Sequence, residues 1–236
     1  MSGRSVDGEY AALASDYDRR WAAYTAATAE KTLEALYALE SPRRPFERML
    51  DVGCGTGRTL RRLYDGDPRD RTGPDGFGLD RSAAMLRQAR RGLPGMPLVR
   101  GDAAALPFPD AAFDAVVTNS ALHYADDPAA CVRELARVTR PGGAVVWTDW
   151  DGGSLTTRGV VLWLRLARRP LGRVLTASAM AAALTDAGLT DVHADRWRHG
   201  WLWGLATVSG AKPGGTGGEL GPCPRRSSGG ARAGRR

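Results

Sequence analysis

Apolar and polar positions alternate regularly through the middle of this chain. Short, largely apolar segments typical of buried strands lie at residues 49–52, 76–80, 98–102, 113–119 and 144–149. Segments whose apolar residues recur at helical spacing separate several of them, at residues 58–64, 82–91 and 127–140. Strands that alternate with helices in this order predict a parallel sheet covered by helices.

The regions on either side of this alternation extend the prediction. Residues 10–40 are rich in alanine and leucine with helical spacing, and further helices are predicted at residues 155–169 and 178–187. Residues 191–198 and 201–209 have the pattern of two strands joined by a tight turn, which indicates an antiparallel hairpin. The predicted fold class is α/β: a doubly wound, Rossmann-like, seven-stranded and mostly parallel sheet with a C-terminal antiparallel hairpin and helices on both faces.

Composition divides the chain into three predicted regions. A helical cap segment at residues 1–45 precedes a ligand-binding α/β domain at residues 46–210. Residues 211–236 are rich in glycine and arginine with almost no apolar content, so we expect a disordered tail. Residues 212–236 carry +5 of the net charge of +7, and a nearly neutral remainder argues against a nucleic-acid partner.

Cysteine usage and hydropathy indicate the context in which the protein works. Cys54, Cys131 and Cys223 form neither a disulfide framework nor the spacing of metal ligands. Residues 1–14 lack the apolar segment of a signal peptide, and the longest apolar stretch, 159–167, is too short to span a bilayer. We expect a cytoplasmic monomer or homodimer with no metal site and no membrane span.

The most informative motif is a glycine-rich turn that follows the first strand. Asp51 lies in the apolar segment, and Gly53, Gly55 and Gly57 follow at every second position before a helical segment begins. A dinucleotide site has the spacing Gly-x-Gly-x-x-Gly and directs a helix N-terminus at a pyrophosphate. An acid before the glycines would repel phosphate and suits a ligand with a cationic amine, which favours S-adenosylmethionine over NAD.

Two further acids lie at the carboxyl ends of predicted strands, where ligands of open α/β sheets bind. Asp80 ends the second strand, 23 residues after Gly57, and a carboxylate there accepts hydrogen bonds from ribose hydroxyls. Asp102 ends the third strand, and its carboxylate suits the exocyclic amine of adenine. The three acids together predict an adenosyl site at one edge of the sheet.

Four motifs carry a family resemblance: LDVGCGTGRTL at 50–60, GLDRSAAMLRQAR at 78–90, GDAAALPFPDAAFDAVVTNSALHY at 101–124 and RELARVTRPGGAVVWTDWD at 133–151. In this order they resemble class I S-adenosylmethionine-dependent methyltransferases of the methyltransferase type 11 family. That family is related to the C-methyltransferases of ubiquinone and menaquinone synthesis. The resemblance extends over residues 10–209, but the segment between the fifth strand and the hairpin is shorter than the family pattern.

The resemblance implies which residues surround the methionine part of the cofactor. Asp51 and Gly53 would lie against the methionine moiety, and Gly55 and Gly57 would shape the turn. Asn119, at the end of the fourth strand, would lie near the sulfonium.

It also implies which residues surround the adenosine. Asp80 would hold the ribose, with Arg81 and Met85 beside the adenine. Asp102 would accept from the adenine amine, with Ala103 as its backbone neighbour.

The segment before the first strand often closes over the cofactor in this family. In this chain the corresponding segment contains Tyr17, Arg20 and Trp21, which the resemblance places near the methionine carboxylate or the substrate. After transfer the product of the cofactor would be S-adenosylhomocysteine.

Methyl transfer from a sulfonium is an in-line displacement that depends mainly on orientation of the reactants. An oxygen or carbon nucleophile also needs a base, and His123, just after the fourth strand, is the candidate. The alternative for His123 is a core histidine packed beside Tyr124. Trp150 and Trp163 are candidates for an aromatic pocket wall.

Several functions compete at this point. The favoured one is methyl transfer to O, C or N of a small molecule, in secondary metabolism or quinone-type biosynthesis. A nucleic-acid methyltransferase is disfavoured because Asn119-Ser120-Ala121-Leu122 lacks the Asn-Pro-Pro-aromatic arrangement that clamps a flipped base. A protein methyltransferase and a cofactor-binding protein without catalysis remain open. The arginines at 158–169 form either a solvated helix face or a contact for a membrane or an anionic substrate.

Overall fold

The computed structural model describes residues 16–40, 45–63 and 74–214. Its helices are α1 (Tyr17–Arg20), α2 (Ala22–Tyr37), α3 (Arg58–Leu63), α4 (Ala83–Gly92), α5 (Pro128–Val138), α6 (Leu155–Leu166) and α7 (Ala177–Asp186). Its strands are β1 (Arg48–Val52), β2 (Asp75–Asp80), β3 (Leu98–Arg100), β4 (Phe113–Asn119), β5 (Thr139–Trp150), β6 (Thr190–His199) and β7 (Trp203–Ala211). The predicted tail at 215–236 and the first fifteen residues of the predicted cap segment lie outside the described residues.

The seven strands form one sheet in the order β3-β2-β1-β4-β5-β7-β6. The pairs from β3 to β5 are parallel, whereas β7 runs antiparallel to both β5 and β6. The direction of winding reverses between β1 and β4, which creates the switch point where ligands of such sheets bind. The predicted fold class, including the C-terminal hairpin, is confirmed.

Alternate residues of the central strands pack against helices on opposite faces of the sheet. On β1, Leu50 and Val52 belong to the core cluster that includes α5 and α7. Met49 belongs to the cluster that includes α2, α3 and α4. Because both faces are covered, β1 and β4 are buried along almost their whole length, as their apolar character predicts.

The junction between α5 and β5 differs from the prediction. The helix ends at Val138, where the Thr139 hydroxyl donates to the Leu135 carbonyl at 2.7 Å. The segment Pro141–Gly143, expected to be a turn before the strand, is already part of β5. Its pairing with β4 shifts in register near Phe113, and Gly142 has a φ of +74°. A β-bulge absorbs the glycines that sequence reasoning assigned to a turn.

Both ends of the described chain are integrated into the domain. Thr32 of α2 donates through its hydroxyl to Thr148 of β5 at 2.7 Å, so α2 is part of a helical layer of the sheet. At the other end, Ala211 is paired in β7, and the Lys212 ammonium donates to the carbonyls of Ala136 and Thr139. The boundary predicted at residue 211 therefore lies inside the folded part. No helix within the described ranges is long and apolar enough to cross a membrane.

Candidate active site

Two adjoining cavities lie at the carboxyl edge of the parallel strands. The first, here the strand-end cavity, is lined by the glycine turn after β1 and by the residues that follow β2, β3 and β4. The second, here the aromatic cavity, lies among α1, α2, α6 and the tip of the β6–β7 hairpin. Tyr17, Ser120 and Tyr124 line both cavities.

The glycine turn has the backbone that the motif predicts. Gly53, Gly55 and Gly57 have φ values of +76°, +54° and +81°, a region that side chains other than glycine rarely adopt. A Cβ on Gly53 would overlap Ala121, and one on Gly57 would overlap Leu93. A Cβ on Gly55 would meet no atom, so this residue exposes its backbone to the strand-end cavity. Gly57 shapes the turn and packs α3 onto α4 without lining either cavity.

Asp51 presents a buried carboxylate to the strand-end cavity. Its side chain is 1% exposed, and neither carboxylate oxygen has a hydrogen-bond partner among the described residues. Burial, and then the neighbouring carboxylate of Asp80, raise the pKa of Asp51 to about 7, and the nearby Thr59 hydroxyl offsets only part of this rise. An unpaired buried carboxylate is costly unless a cation or a donor satisfies it. This position therefore fits a cationic amine.

Asp80 is held rigidly at the end of β2. One carboxylate oxygen accepts from the Gly55 amide at 2.8 Å, and the other accepts from the Ser82 amide at 2.7 Å. Ser82 in turn caps α4 by accepting from the Met85 amide. These bonds join the glycine turn to the start of α4 and fix the orientation of the Asp80 carboxylate toward the cavity.

Most of the other residues predicted to bind the cofactor also line the strand-end cavity: Tyr17, Arg81, Met85, Asp102, Ala103 and Asn119. Asp102 follows β3 in a loop, where its carboxylate accepts from the Ala104 amide at 2.9 Å. Arg20 and Trp21, which the resemblance places near the methionine carboxylate or the substrate, line the aromatic cavity and not the strand-end cavity.

An ionic contact that sequence reasoning missed holds α1 against the glycine turn. The Asp18 carboxylate accepts from the Thr56 hydroxyl at 2.5 Å and from the Arg61 guanidinium at 2.8 Å. Arg58 donates to the Asp18 carbonyl at 3.2 Å. These contacts fix Tyr17 at the boundary of the two cavities. No motif marks Asp18, because its partners lie about forty residues further along the chain.

The aromatic cavity has a volume of about 650 Å³, within the range of small-molecule sites. Arg20 and Arg169 contribute cationic groups, and its lining contains no aspartate or glutamate among the described residues. Eight tyrosine and tryptophan rings from separate parts of the chain line it: Tyr17, Trp21, Tyr24, Tyr124, Trp150, Trp163, Trp201 and Trp203.

His123 and Asp149 form a buried pair at the inner end of the aromatic cavity. The Nδ1 atom of His123 lies 2.5 Å from an Asp149 carboxylate oxygen, and the His123 amide donates to the other oxygen at 3.1 Å. The His123 ring stacks on Trp150 with centroids 4.2 Å apart, and its Nε2 atom has no partner among the described residues. A proton on Nδ1 bonded to Asp149 leaves the Nε2 lone pair available as an acceptor.

The charge of Asp149 is maintained by its surroundings. Burial opposes ionisation, but the facing His123 and hydrogen bonds from His123, Trp147 and Trp150 outweigh burial and hold the pKa of Asp149 below its ordinary value. Asp149 lies near the end of β5, a position where the sequence is equally consistent with a structural acid and with one that faces the cleft. Nothing in the sequence pairs it with His123.

A hydrogen-bonded chain links the aromatic cavity to the strand-end cavity. Trp150 donates through its indole nitrogen to the Tyr24 hydroxyl at 3.0 Å, and Tyr24 lies 2.8 Å from the Ser120 hydroxyl. Ser120 donates to the Asn119 side chain at 3.1 Å and has a φ of +52°, an uncommon value for serine. Such strain is found where structure fixes a functional position.

Neither metal binding nor cysteine chemistry has geometric support in the described ranges. No group of three or more histidine, cysteine, aspartate or glutamate side chains there could hold a metal ion. Cys54 and Cys131 are buried free thiols, and burial raises the pKa of Cys131 to about 11.

Comparison with known proteins bears on this site. Residues 50–147 match a family model described as a methyltransferase domain. Demethylmenaquinone methyltransferase of Renibacterium salmoninarum is 39% identical over 107 residues, which cover 45% of this chain and 43% of that protein. Malonyl-[acyl-carrier protein] O-methyltransferase of Pseudescherichia vulneris is 35% identical over 155 residues, which cover 66% of this chain and 57% of that protein. The chain thus spans about half the length of the curated relatives it matches.

A solved structure has the same architecture. It belongs to the complex between the Haloferax volcanii Trm112 methyltransferase activator and a protein described as a methyltransferase. It superimposes with a TM-score of 0.72 at 25% identity, covering 89% of this chain and 100% of that chain. The glycine turn, the strand order and these matches agree with the family resemblance, and residues 50–147 of this chain are similar to a methyltransferase domain.

Proposed function

We propose that this protein transfers a methyl group from S-adenosylmethionine to a small-molecule acceptor bound in the aromatic cavity. One observation carries the proposal. Asp51 and His123 line two cavities that adjoin at Tyr17, Ser120 and Tyr124, and the Asp51 carboxylate and the His123 Nε2 atom have no hydrogen-bond partner in the part of the chain that the structure describes.

The residues of the strand-end cavity fit the proposed cofactor. The buried carboxylate of Asp51 would form an ion pair with the cationic amine of the methionine part. Gly55 leaves space for close approach of the ligand. Asp80 would accept from the ribose hydroxyls, and Asp102 from the adenine amine. When bound, the cofactor supplies a methyl group already activated by a sulfonium, and S-adenosylhomocysteine is its product.

His123 acts as the general base in this proposal. Asp149 holds Nδ1, so Nε2 accepts the proton from a hydroxyl, amine or acidic carbon of the acceptor as the new bond to the methyl carbon forms. The proton lost by the acceptor remains on His123, and the Asp149 carboxylate stabilises the imidazolium that results. The contribution of a positioned base is typically about 10²–10⁴-fold.

The aromatic cavity determines the class of acceptor. Stacked rings favour a planar or apolar molecule, and the guanidinium groups of Arg20 and Arg169 favour one that carries an anionic group. The pathway to which the acceptor belongs, whether secondary metabolism or quinone-type synthesis, is part of the proposal.

Two measurements, made one after the other, test the proposed function. Calorimetry with S-adenosylmethionine and S-adenosylhomocysteine measures binding to the folded protein. Incubation with methyl-labelled cofactor and a metabolite extract, followed by mass spectrometry, identifies the acceptor. Absence of binding would reject the cofactor assignment, whereas binding without any labelled product from a broad set of extracts would favour a cofactor-binding protein without catalysis.

A further inference from the structure

Helix α6 is apolar on two opposite sides. Val160, Val161 and Leu164 pack inward against the cluster that includes Trp203. Leu155, Leu162 and Leu166 recur at spacings of seven and four residues, which places them on one face of the helix. These leucines are 80%, 59% and 75% exposed. A soluble helix normally presents polar residues on its outer face, so this stripe requires an explanation.

The exposed apolar side chains are clustered. Trp163 of α6 is 62% exposed, and Trp201 at the tip of the β6–β7 hairpin is 80% exposed. Both also line the aromatic cavity. Of the six strongly exposed large apolar residues in the described ranges, five belong to α6 or to this tip, and the sixth is Tyr37. Clustering of this kind marks an interaction surface.

The charged residues within α6 and just after it are all positive. Arg158 and Arg165 lie on α6, and Arg168 and Arg173 follow its end, all four being exposed. No aspartate or glutamate occurs between residues 152 and 185. An apolar stripe bordered by uncompensated arginines is complementary to a surface that combines acyl chains with anionic head groups.

We propose that α6 and the tip of the β6–β7 hairpin form a docking surface for an anionic lipid bilayer. The leucines and tryptophans insert at the boundary of head groups and acyl chains, and the arginines contact lipid phosphates. The helix lies in the plane of the interface, because it is too short to cross the bilayer.

The location of the surface has a consequence for the acceptor. Because Trp163 and Trp201 belong both to the docking surface and to the cavity lining, an amphiphilic acceptor can pass from the bilayer into the aromatic cavity. This consequence rests on the proposed function, whereas bilayer docking does not. Binding to vesicles is therefore measured without cofactor or acceptor, so that the two proposals fail separately.

The first experiment is flotation of the full chain with two kinds of vesicle. One contains phosphatidylcholine alone, and the other contains phosphatidylcholine and phosphatidylglycerol in equal amounts. We expect strong binding to the second kind, weak binding to the first, and release from the anionic vesicles at high salt. The double variant Leu162→Gln with Leu166→Gln should lose binding about tenfold or more, because it removes two inserted apolar side chains. Tyr37→Gln, an exposed aromatic residue elsewhere, should bind as the wild type does.

The second experiment separates charge from apolar insertion. Arg158→Gln with Arg165→Gln should weaken binding to anionic vesicles about thirtyfold, since each basic side chain near such a surface contributes on the order of 1 kcal/mol. The control removes two exposed arginines on other helices, Arg87→Gln with Arg133→Gln, and should have little effect. Thermal unfolding of each variant verifies that the fold is intact.

Three results would overturn the proposal. They are equal binding of the folded wild type to both kinds of vesicle, unchanged binding of the leucine variant, and loss of binding in the arginine control equal to that in the α6 variant. Light scattering provides a further test. Self-association that the leucine variant abolishes, together with absence of vesicle binding, would assign the surface to a second copy of this chain.

Discussion

The strand-end cavity and the aromatic cavity adjoin, yet they are built in different ways. The first is formed by strand ends and backbone amides, such as the bonds from Gly55 and Ser82 to Asp80. The second is formed by side chains from distant parts of the chain. Tyr24, for example, bonds to Ser120 and Trp150, which are 96 and 126 residues away.

Because of this difference, substitutions in the two cavities should have different effects. The strand-end cavity depends on glycine conformations and strand positions that tolerate little substitution. The aromatic cavity depends largely on side chains of α1, α2, α6 and the hairpin tip, which lie outside the parallel strands. The acceptor specificity of this architecture can therefore change while the binding of the cofactor is preserved.

The largest expected effect tests the aromatic side of the comparison. His123→Asn removes the Nε2 base but retains a donor close to Asp149, so we expect methyl transfer to fall about 10²–10⁴-fold. Affinity for S-adenosylmethionine should stay unchanged, because His123 does not line the strand-end cavity. Single-turnover transfer and calorimetry measure the two quantities separately. A loss of cofactor affinity as large as the loss of rate would contradict the separation of the cavities.

Asp149 acts through His123 and is a positioning residue. Asp149→Asn should lower kcat with little change in KM for the acceptor, since the wild-type carboxylate orients the ring and stabilises its charged form. Asp149→Glu should recover part of the rate. A purely structural role would instead lower the melting temperature without the partial recovery in kcat.

The next largest effect concerns the strand-end cavity. Asp51→Asn preserves the shape of the side chain but removes the negative charge that we propose pairs with the amine of the cofactor. The dissociation constant of S-adenosylmethionine should therefore rise roughly 10–100-fold. In the wild type, the affinity should rise with pH through about 7, as the Asp51 carboxyl loses its proton. Calorimetry across this range measures both effects. A pH-independent affinity would remove Asp51 from the site.

Asp51→Asn, which should weaken cofactor binding, should stabilise the ligand-free protein. Burial raises the pKa of Asp51 from 3.8 to about 7, so the folded state retains a proton that the unfolded state releases between these values. Stability of the ligand-free protein therefore falls as pH rises through this interval. Above it, Asp51→Asn should raise the free energy of unfolding by up to about 4 kcal/mol, whereas near pH 4 the gain should disappear. Denaturant unfolding at both ends of the interval measures this gain.

The difference between the two cavities also explains which parts of the fold and of the candidate site could be predicted from the sequence. The acids Asp51, Asp80 and Asp102 were correctly placed in one cavity because each is defined by the end of a strand and by the glycines nearby. The same local rules predicted the sheet and its hairpin. They failed at Pro141–Gly143, where pairing with β4 makes a bulge out of residues that favour a turn.

The contacts of the aromatic cavity could not be predicted in this way. Tyr24 has ordinary sequence surroundings, as does Asp18 beside the glycine turn, and the roles of both depend on residues brought near by the fold. Asp149 is a candidate cleft acid from its place near a strand end, but only the fold pairs it with His123. Arg20 and Trp21 were predicted near the cofactor or the substrate, and the turn of α1 places them at the aromatic cavity. Long-range packing, which no local pattern encodes, determines this half of the site.

A smaller effect is expected where α1 joins the two cavities. Asp18→Asn weakens the contacts to Thr56 and Arg61 that hold α1 against the glycine turn, so the cofactor should dissociate faster and its affinity fall about tenfold. Asp16→Asn is a matched control, because Asp16 pairs only with exposed Arg19 among the described residues. Stopped-flow measurement of cofactor release separates the two variants. Equal release rates would show that α1 does not hold the cofactor in place.

The smallest effect lies at the boundary between the cavities. Burial raises the pKa of Tyr24 well above its ordinary value, so its hydroxyl is neutral at neutral pH. Tyr24→Phe keeps the ring and removes the bond from the Trp150 indole, a neutral hydrogen bond of about 1 kcal/mol. We expect KM for the acceptor to rise about fivefold, through looser positioning of Trp150, with cofactor affinity unchanged. Tyr37→Phe on the same helix should leave both parameters as in the wild type. If Tyr24→Phe weakened cofactor binding as much as acceptor binding, the bond from Tyr24 to Ser120 would couple the two cavities into one site.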